Sequence, residues 1–129
     1  MQKEDYVRDG VRVIEGCRVL CYAGEGRGLA SADDALDVIS AAMGGRADLV
    51  WIPVERLDPR FFELSTGVAG VILQKLVNYG LRVAVLGDIA PALRESKALR
   101  DFVRESNRGR QIWFVASEAE LAERLGASR

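Results

Sequence analysis

The chain contains no histidine among its 129 residues, and this absence narrows the chemistry it can perform. Without an imidazole, neither a Ser–His nor a Cys–His nucleophile pair can form, and no side chain has an ordinary pKa near neutrality. An enzyme built on this chain would depend on carboxylates, lysine, tyrosine or backbone donors. We therefore expect a non-catalytic role, with an enzymatic one left open.

Cysteine is nearly absent as well, since only Cys17 and Cys21 occur. Both fall in one predicted strand and on the same face of it, which places their Cα atoms about 13 Å apart. A disulfide needs a Cα separation of about 4.4–6.8 Å, so we expect no bond between them. Two thiols without histidine also make a poor zinc site. We expect reduced, buried, structural cysteines, no metal and no cofactor.

Neither a strong charge excess nor a long apolar run is present. The net charge is −1, whereas nucleic-acid binding depends on clustered cations, so we expect no nucleic-acid partner. No apolar run is long enough to cross a bilayer and residues 1–5 are polar, so we expect no membrane contact and a cytoplasmic location. The length predicts one domain, 1–129, with frayed ends at 1–5 and 127–129.

Hydrophobic patterning predicts a single α/β domain with the element order ββαβαβαβα. Short apolar runs at 11–14 and 17–22 are separated by Glu15-Gly16 and predict a hairpin. The apolar runs at 49–54, 81–86 and 111–115 predict three further strands, and the first is continuous enough for burial on both faces. Helical spacing after Ser31, over 66–79, over 96–107 and after Ser117 predicts four helices. Strands that alternate with helices favour a mostly parallel sheet covered by helices.

The start of the second predicted helix is the best candidate for a working surface. A helix N-terminus exposes unpaired backbone N–H groups. At this position the sequence has two hydroxyl side chains, Ser65 and Thr66, followed by Gly67, which has no side chain. Either hydroxyl can cap the helix, and a phosphate there would add up to about two negative charges. Gly67 and Gly70 either admit a ligand or pack against a neighbouring strand, and we expect packing.

Further polar residues extend the candidate surface along the second helix, past the fourth strand and at the end of the third helix. In that order they are Gln74, Lys75 and Asn78, then Asp88, then Asn107 and Arg108. The first three share one side of the helix, as a solvated face or as a contact surface. Asp88 follows a strand at the carboxyl edge, where open α/β sheets bind their ligands.

This order of elements resembles the STAS domain, named for sulfate transporters and anti-sigma factor antagonists. In that family a hairpin leads into β-α repeats, and a loop of the form Asp-Ser-Ser-Gly-Leu opens the second helix. The corresponding segment here is Leu64-Ser65-Thr66-Gly67-Val68, with leucine in place of the acidic residue. The resemblance implies a STAS-like regulatory module in which Ser65 or Thr66 is the phosphorylated switch residue.

The chain also resembles a family of uncharacterised bacterial proteins known only as a domain of unknown function. The matching pieces span nearly the whole chain and are Asp34-Ala35-Leu36-Asp37, Phe61-Phe62-Glu63-Leu64, Thr66-Gly67-Val68-Ala69-Gly70, Gln74-Lys75, Asn78-Tyr79, Gly87-Asp88, Ser96-Lys97 and Glu105-Ser106-Asn107-Arg108-Gly109. Thr66 belongs to this pattern and the position of Ser65 varies, so the resemblance favours Thr66 as the switch. The family carries no activity to transfer.

Two functions follow as expectations. The first is a non-catalytic cytoplasmic interaction module, with an unknown protein partner and a flat, exposed hydroxyl site at Thr66 or Ser65. The alternative is a small-molecule or anion binder, or a weak enzyme, that uses the Gly67 N–H, Lys75 and Asp88 in a pocket of a few hundred Å³ at the carboxyl edge of the sheet. Assembly into a homo-oligomer is left open.

Overall fold

The computed structural model describes residues 10–22 and 26–127, and the structural statements below concern that part of the chain. Its five strands are β1 (Val11–Ile14), β2 (Cys17–Cys21), β3 (Leu49–Pro53), β4 (Arg82–Leu86) and β5 (Ile112–Val115). Its α-helices are α1 (Ala32–Gly44), α2 (Val68–Asn78), α3 (Ala90–Glu95), α4 (Lys97–Arg108) and α5 (Glu118–Ala127). The predicted frayed ends, 1–5 and 127–129, lie outside the described residues except for Ala127, which ends α5.

The five strands lie side by side in chain order in one sheet. β1 and β2 form an antiparallel hairpin whose turn consists of Glu15 and Gly16, both with positive φ, as a two-residue hairpin turn requires. All other neighbouring strands are parallel, and Val50 of β3 pairs with Val83 of β4. The predicted α/β class, with a mostly parallel sheet and helices, is confirmed.

Both faces of the sheet are covered, because successive side chains of a strand point to opposite faces. Val83 and Val85 of β4 pack in the larger core, which α1, α2 and α4 complete with fully buried side chains such as Ile72. Ala84, between them, packs in the smaller core on the other face, beneath Leu121 of α5. The first four helices therefore lie on one face and the last helix covers the other.

The two cysteines lie beside the smaller core, on one face of β2 as predicted. Both are free thiols, and both are half-buried, whereas the sequence predicted buried cysteines. Burial in this apolar environment raises the pKa of the Cys21 thiol to about 11. Burial likewise raises the pKa of the Cys17 thiol, so each cysteine stays a protonated, weakly reactive thiol at neutral pH.

The connection between β4 and β5 differs from the prediction of a single helix over 96–107. A separate short helix, α3, precedes α4, so the order of strands and α-helices becomes ββαβαβααβα. Pro91 lies in the first turn of α3, the helical position that tolerates proline. Ser96 is extended, with φ −145°, and its hydroxyl accepts a hydrogen bond from the Leu99 N–H at 3.0 Å. This cap ends one helix and begins the next.

Truncation of one buried side chain in α2 tests this packing. Ile72 is fully buried, whereas Val71 beside it is 47% exposed. Ile72→Ala is expected to lower the free energy of unfolding by about 2–5 kcal/mol, since it removes apolar contacts and leaves a cavity. The matched change Val71→Ala is expected to alter it by no more than about 0.5 kcal/mol. Urea unfolding followed by circular dichroism measures both, and equal losses would contradict the assignment of faces.

Candidate functional site

The chain between β3 and α2 forms three short 3-10 turns, Val54–Arg56, Pro59–Phe62 and Leu64–Thr66. The last turn ends at Gly67, whose φ of 81° and ψ of −4° lie in the left-handed region. A Cβ added there would meet no heavy atom within 4 Å, so conformation and not space requires glycine. As a result α2 begins at Val68, two residues later than the predicted Thr66.

Thr66 is the residue that closes this turn. Its hydroxyl lies 2.8 Å from the carbonyl oxygens of both Arg60 and Glu63, to which it can donate. The same oxygen accepts a hydrogen bond from the Val68 N–H at 3.3 Å. The hydroxyl therefore satisfies a free N–H at the start of α2, in the manner of a helix cap.

The neighbouring residue Ser65, unlike Thr66, takes no part in the hydrogen bonding of the turn. Its side chain is exposed, and its hydroxyl makes no hydrogen bond to any described residue. The family resemblance favours Thr66 as a switch, but the geometry makes Ser65 the free hydroxyl of the pair. The two neighbouring residues thus have separable roles, one inside the turn and one outside it.

Ser65 lies at a groove of about 540 Å³ between the turns that follow β3 and the helices α3 and α4. Phe62 and Leu64 line one side and Ala92 lines the other. Among the described residues that line the groove, only Glu63 and Glu95 are charged. A function as an interaction module predicted a flat hydroxyl site. The Ser65 hydroxyl lies instead beside a groove with apolar side chains in its walls and two carboxylates at its edge.

The exposed side of α2 continues from this point. Gln74 donates a hydrogen bond to Asn78 at 2.8 Å, and the Lys75 ammonium lies 5.9 Å from the centre of the Tyr79 ring. Tyr79 is 45% exposed and Val71 is 47% exposed, although the sequence pattern did not predict either of them as a surface residue. Their spacing of three and four residues from Gln74 and Lys75 is the signal that could have found them.

Gly70 also belongs to this exposed side. No heavy atom lies within 4 Å of the position that a Cβ would take at Gly70. Together with the open space at Gly67, this shows that the expected packing of the two glycines against a neighbouring strand is wrong. Gly70 leaves a side-chain-free place on the helix surface, at a cost of roughly 1 kcal/mol relative to alanine.

A second groove, of about 370 Å³, lies at the carboxyl ends of β4 and β5. Asp88 and Asn107 line it, but both are engaged in structural hydrogen bonds. Asp88 accepts from the Ala90 N–H at 2.9 Å, and Asn107 exchanges two hydrogen bonds with the backbone of Phe114, at 2.7 and 3.3 Å. The predicted residue Arg108 pairs with Glu105 at 3.2 Å on the exposed side of α4.

The sequence-predicted site residues therefore do not form one site. Gly67 and Lys75, which the alternative function combined with Asp88, do not line the second groove. The Gly67 N–H donates to the Leu64 carbonyl at 3.1 Å and belongs to the turn. Three places result: the groove at Ser65, the exposed side of α2, and the groove at Asp88.

Two buried ionic residues, which the sequence analysis did not identify as candidates, lie near the carboxyl ends of β2 and β3. Asp34 is 3% exposed and Arg56 is 7% exposed. The Asp34 carboxylate accepts hydrogen bonds from the N–H groups of Ala30 and Ser31, at 2.8 and 3.1 Å, and from the Arg27 guanidinium. The Ala30 N–H first, then the Arg27 guanidinium, lower the pKa of this carboxyl to about 2.

Comparison with known proteins gives a family and no activity. Residues 14–125 match the sequence model of the family described as "Domain of unknown function (DUF4180)", and the chain belongs to that family. No curated protein and no solved structure matches the chain.

In the described part of the chain, no helix is long and apolar enough to cross a membrane. Among the same residues, no group of three or more Cys, Asp or Glu side chains is arranged to hold a metal ion.

Substitutions at the two hydroxyls test their assignment. Thr66→Val is expected to lower the free energy of unfolding by about 1 kcal/mol, because the Val68 N–H loses its cap. Thr66→Ser keeps the oxygen and Ser65→Ala removes an unbonded one, so each is expected to change stability by no more than about 0.5 kcal/mol. Chemical denaturation of the three variants measures these changes in the free energy of unfolding. A loss for Ser65→Ala equal to that for Thr66→Val would refute the distinction.

The low pKa of Asp34 predicts a pH dependence. The folded-state pKa of about 2 lies below the ordinary 3.8, so ionised Asp34 contributes stability above pH 4 that is lost as the pH falls towards 2. Asp34→Asn is expected to lower the free energy of unfolding at pH 7 by about 1.5–3 kcal/mol, the range for hydrogen bonds to a charged group. The difference between wild type and variant should shrink between pH 4 and pH 2. A difference independent of pH would contradict the assignment.

Proposed function

We propose that this member of the DUF4180 family is a non-catalytic protein-interaction module with a STAS-like architecture. Its contact surface, called the Ser65 surface below, comprises the groove at Ser65 and the exposed side of α2. In this proposal the protein acts in the bacterial cytoplasm, and phosphorylation of Ser65 regulates partner binding. The free, exposed hydroxyl of Ser65 at the edge of a groove is the observation that carries the proposal.

The charges around the groove give phosphorylation a direction. Glu63 and Glu95 already place two carboxylates at its edge. A phosphate on Ser65 would add up to about two further negative charges, which oppose a partner that seats apolar or acidic groups there. We therefore propose that the unmodified protein binds its partner and that the phosphorylated protein releases it.

The composition of the exposed side of α2 supports a protein partner. Val71 and Tyr79 each leave nearly half of their surface exposed, and aromatic residues are enriched at protein interfaces. Gln74 and Asn78 offer further amide groups beside them, and the bare backbone at Gly70 permits close approach. Apolar anchors beside polar groups are the usual anatomy of a contact patch.

Strand order and loop position support the STAS-like architecture. An opening hairpin is followed by strands laid down in chain order, with helices in every later connection. The hydroxyl pair lies directly before the helix that follows β3, where the STAS resemblance has its switch loop. The additional helix α3 is a departure from the simple β-α alternation.

A second candidate function is binding of a small apolar molecule in the groove at Asp88. Ile89, Leu93, Val103 and Phe114 give that groove mostly apolar walls, and about 370 Å³ falls within the size range of small-molecule sites. Its polar side chains are already hydrogen-bonded to the backbone, which favours an apolar ligand over a charged one.

Affinity capture with full-length tagged variants in the native host tests the proposal. Wild type, Ser65→Asp, Ser40→Asp and Ala116→Phe are compared, with quantitative mass spectrometry of captured proteins and site-resolved mapping of phosphate. Ser40 is an exposed serine of α1, outside the Ser65 surface, and serves as the matched charge control. Ala116 lines the second groove and not the first, so Ala116→Phe is designed to fill the second groove alone.

We expect one stoichiometric partner with wild type, Ser40→Asp and Ala116→Phe, reduced about tenfold or more with Ser65→Asp. We also expect phosphate on Ser65 and none on Thr66. Equal capture by all four variants, or phosphate on Thr66 alone, would overturn the proposal. Loss of capture with Ala116→Phe alone would move the functional site to the second groove.

A further inference from the structure

We propose that the buried guanidinium of Arg56 forms a binding site for an oxyanion, a carboxylate or phosphate group of a small molecule. The site lies where β2 and β3 end at their carboxyl edge. Tyr22 directly follows β2, and Arg56 ends the 3-10 turn that follows β3. This inference is independent of the Ser65 surface and of the groove at Asp88, because Arg56 lines neither of them.

The hydrogen bonding of Arg56 is the first argument. The residue is 7% exposed, and its guanidinium carbon lies 4.9 Å from the centre of the Tyr22 ring. Its Nη1 donates to the Arg27 carbonyl oxygen at 2.6 Å, but its buried Nε has no hydrogen-bond partner. Arginine presents five N–H donors, and a buried polar group without a partner is costly.

The charge of Arg56 is the second argument. A buried cation is unfavourable unless an anion pairs with it. Each ion pair found among the described residues involves another cation, and none involves Arg56. The buried carboxylate of Asp34 is already used by Arg27, Ala30 and Ser31. The fold therefore offers a desolvated positive charge with no carboxylate from the described residues against it.

The donors that the fold leaves unused on Arg56 suit an oxyanion. Gly26 is exposed, with a φ of 115°, and a Cβ built there would lie 2.9 Å from Nη1 and 3.7 Å from Nη2 of Arg56. Gly26 therefore lies against the Nη1 and Nη2 side of the guanidinium, where any side chain would crowd it. Nη1 is already bonded to the Arg27 carbonyl, so the donors left for an oxyanion are Nη2 and the buried Nε, the fork with which arginine binds two oxygens of a carboxylate or phosphate.

Titration of ¹⁵N-labelled protein with inorganic phosphate, and separately with acetate, tests the site at constant ionic strength. The amides of Gly26, Arg27 and Leu29 report binding, since the Leu29 N–H donates to the Arg56 carbonyl at 2.7 Å. We expect saturable shifts at these amides with at least one probe. Saturation with phosphate alone assigns a phosphate-bearing ligand, and saturation with acetate alone assigns a carboxylate.

Four variants distinguish anion binding by the Arg56 guanidinium from attraction by positive charge alone. Arg56→Lys keeps the charge and loses the fork, so the affinity for the probe should fall about tenfold or more. Arg56→Met should abolish the saturable shifts, and Gly26→Ala should weaken them, because its Cβ crowds Nη1 and the φ of 115° strains an alanine. Arg94→Met, at an exposed arginine of α3, should bind like wild type.

Two results would overturn the site. The first is the absence of saturable shifts at Gly26, Arg27 and Leu29 in wild type with either probe. The second is the same affinity in Arg56→Lys as in wild type, which would mean that charge alone attracts the anion. If Arg56→Met does not fold, Arg56→Lys still gives the decision, because the lysine retains the positive charge.

Discussion

Burial of β3 and β4 on both faces of the sheet is the constraint on which the rest of the structure depends. Val50 and Ile52 fill the core beneath α1, α2 and α4, whereas Leu49 and Ala84 fill the core on the other side. Apolar side chains on both faces exclude water only if helices cover both, so α5 covers the face opposite the other four helices. What remains for contact with other molecules is the strand ends and the outer sides of the helices.

The connection from β3 to α2 shows how this constraint produces a surface. Residues 54–67 run across the carboxyl edge of the sheet, and their 3-10 turns satisfy much of their backbone hydrogen bonding locally. The left-handed Gly67 and the hydroxyl of Thr66 fix the last turn against the start of α2. Ser65 is thereby left outside the hydrogen bonding, beside the groove. A structural hydroxyl and a free hydroxyl thus occupy adjacent positions.

Helices and strands with a regular hydrophobic pattern were predictable from the sequence. Elements whose position depends on a single residue or contact were not. The strand runs at 49–54 and 81–86 match β3 and β4 within one residue at each end, because apolar runs of that length record burial directly. Helix α3 and the late start of α2 depend on local signals at Pro91, Ser96 and Gly67, which a search for helical spacing does not weigh.

The candidate site was predictable only in part. The sequence indicated the segment around Ser65 and the polar residues of α2, but it could not distinguish the roles of the two hydroxyls, which depend on carbonyl groups three and six residues away. The buried position of Arg56 depends on Tyr22 and Arg27, 34 and 29 residues earlier in the chain. Such contacts exist only after the sheet has formed, so they leave no local pattern.

Hydrogen–deuterium exchange of the protein alone and bound to its captured partner is the most direct test of the central claim. The Ser65 surface predicts slower exchange in the complex at residues 59–67, at 90–98 across the groove, and along 70–79 of α2. It predicts unchanged exchange at 11–14 in β1 and at 116–120 beside the second groove. Protection confined to 87–90 and 114–120, with none at 59–67, would contradict the account.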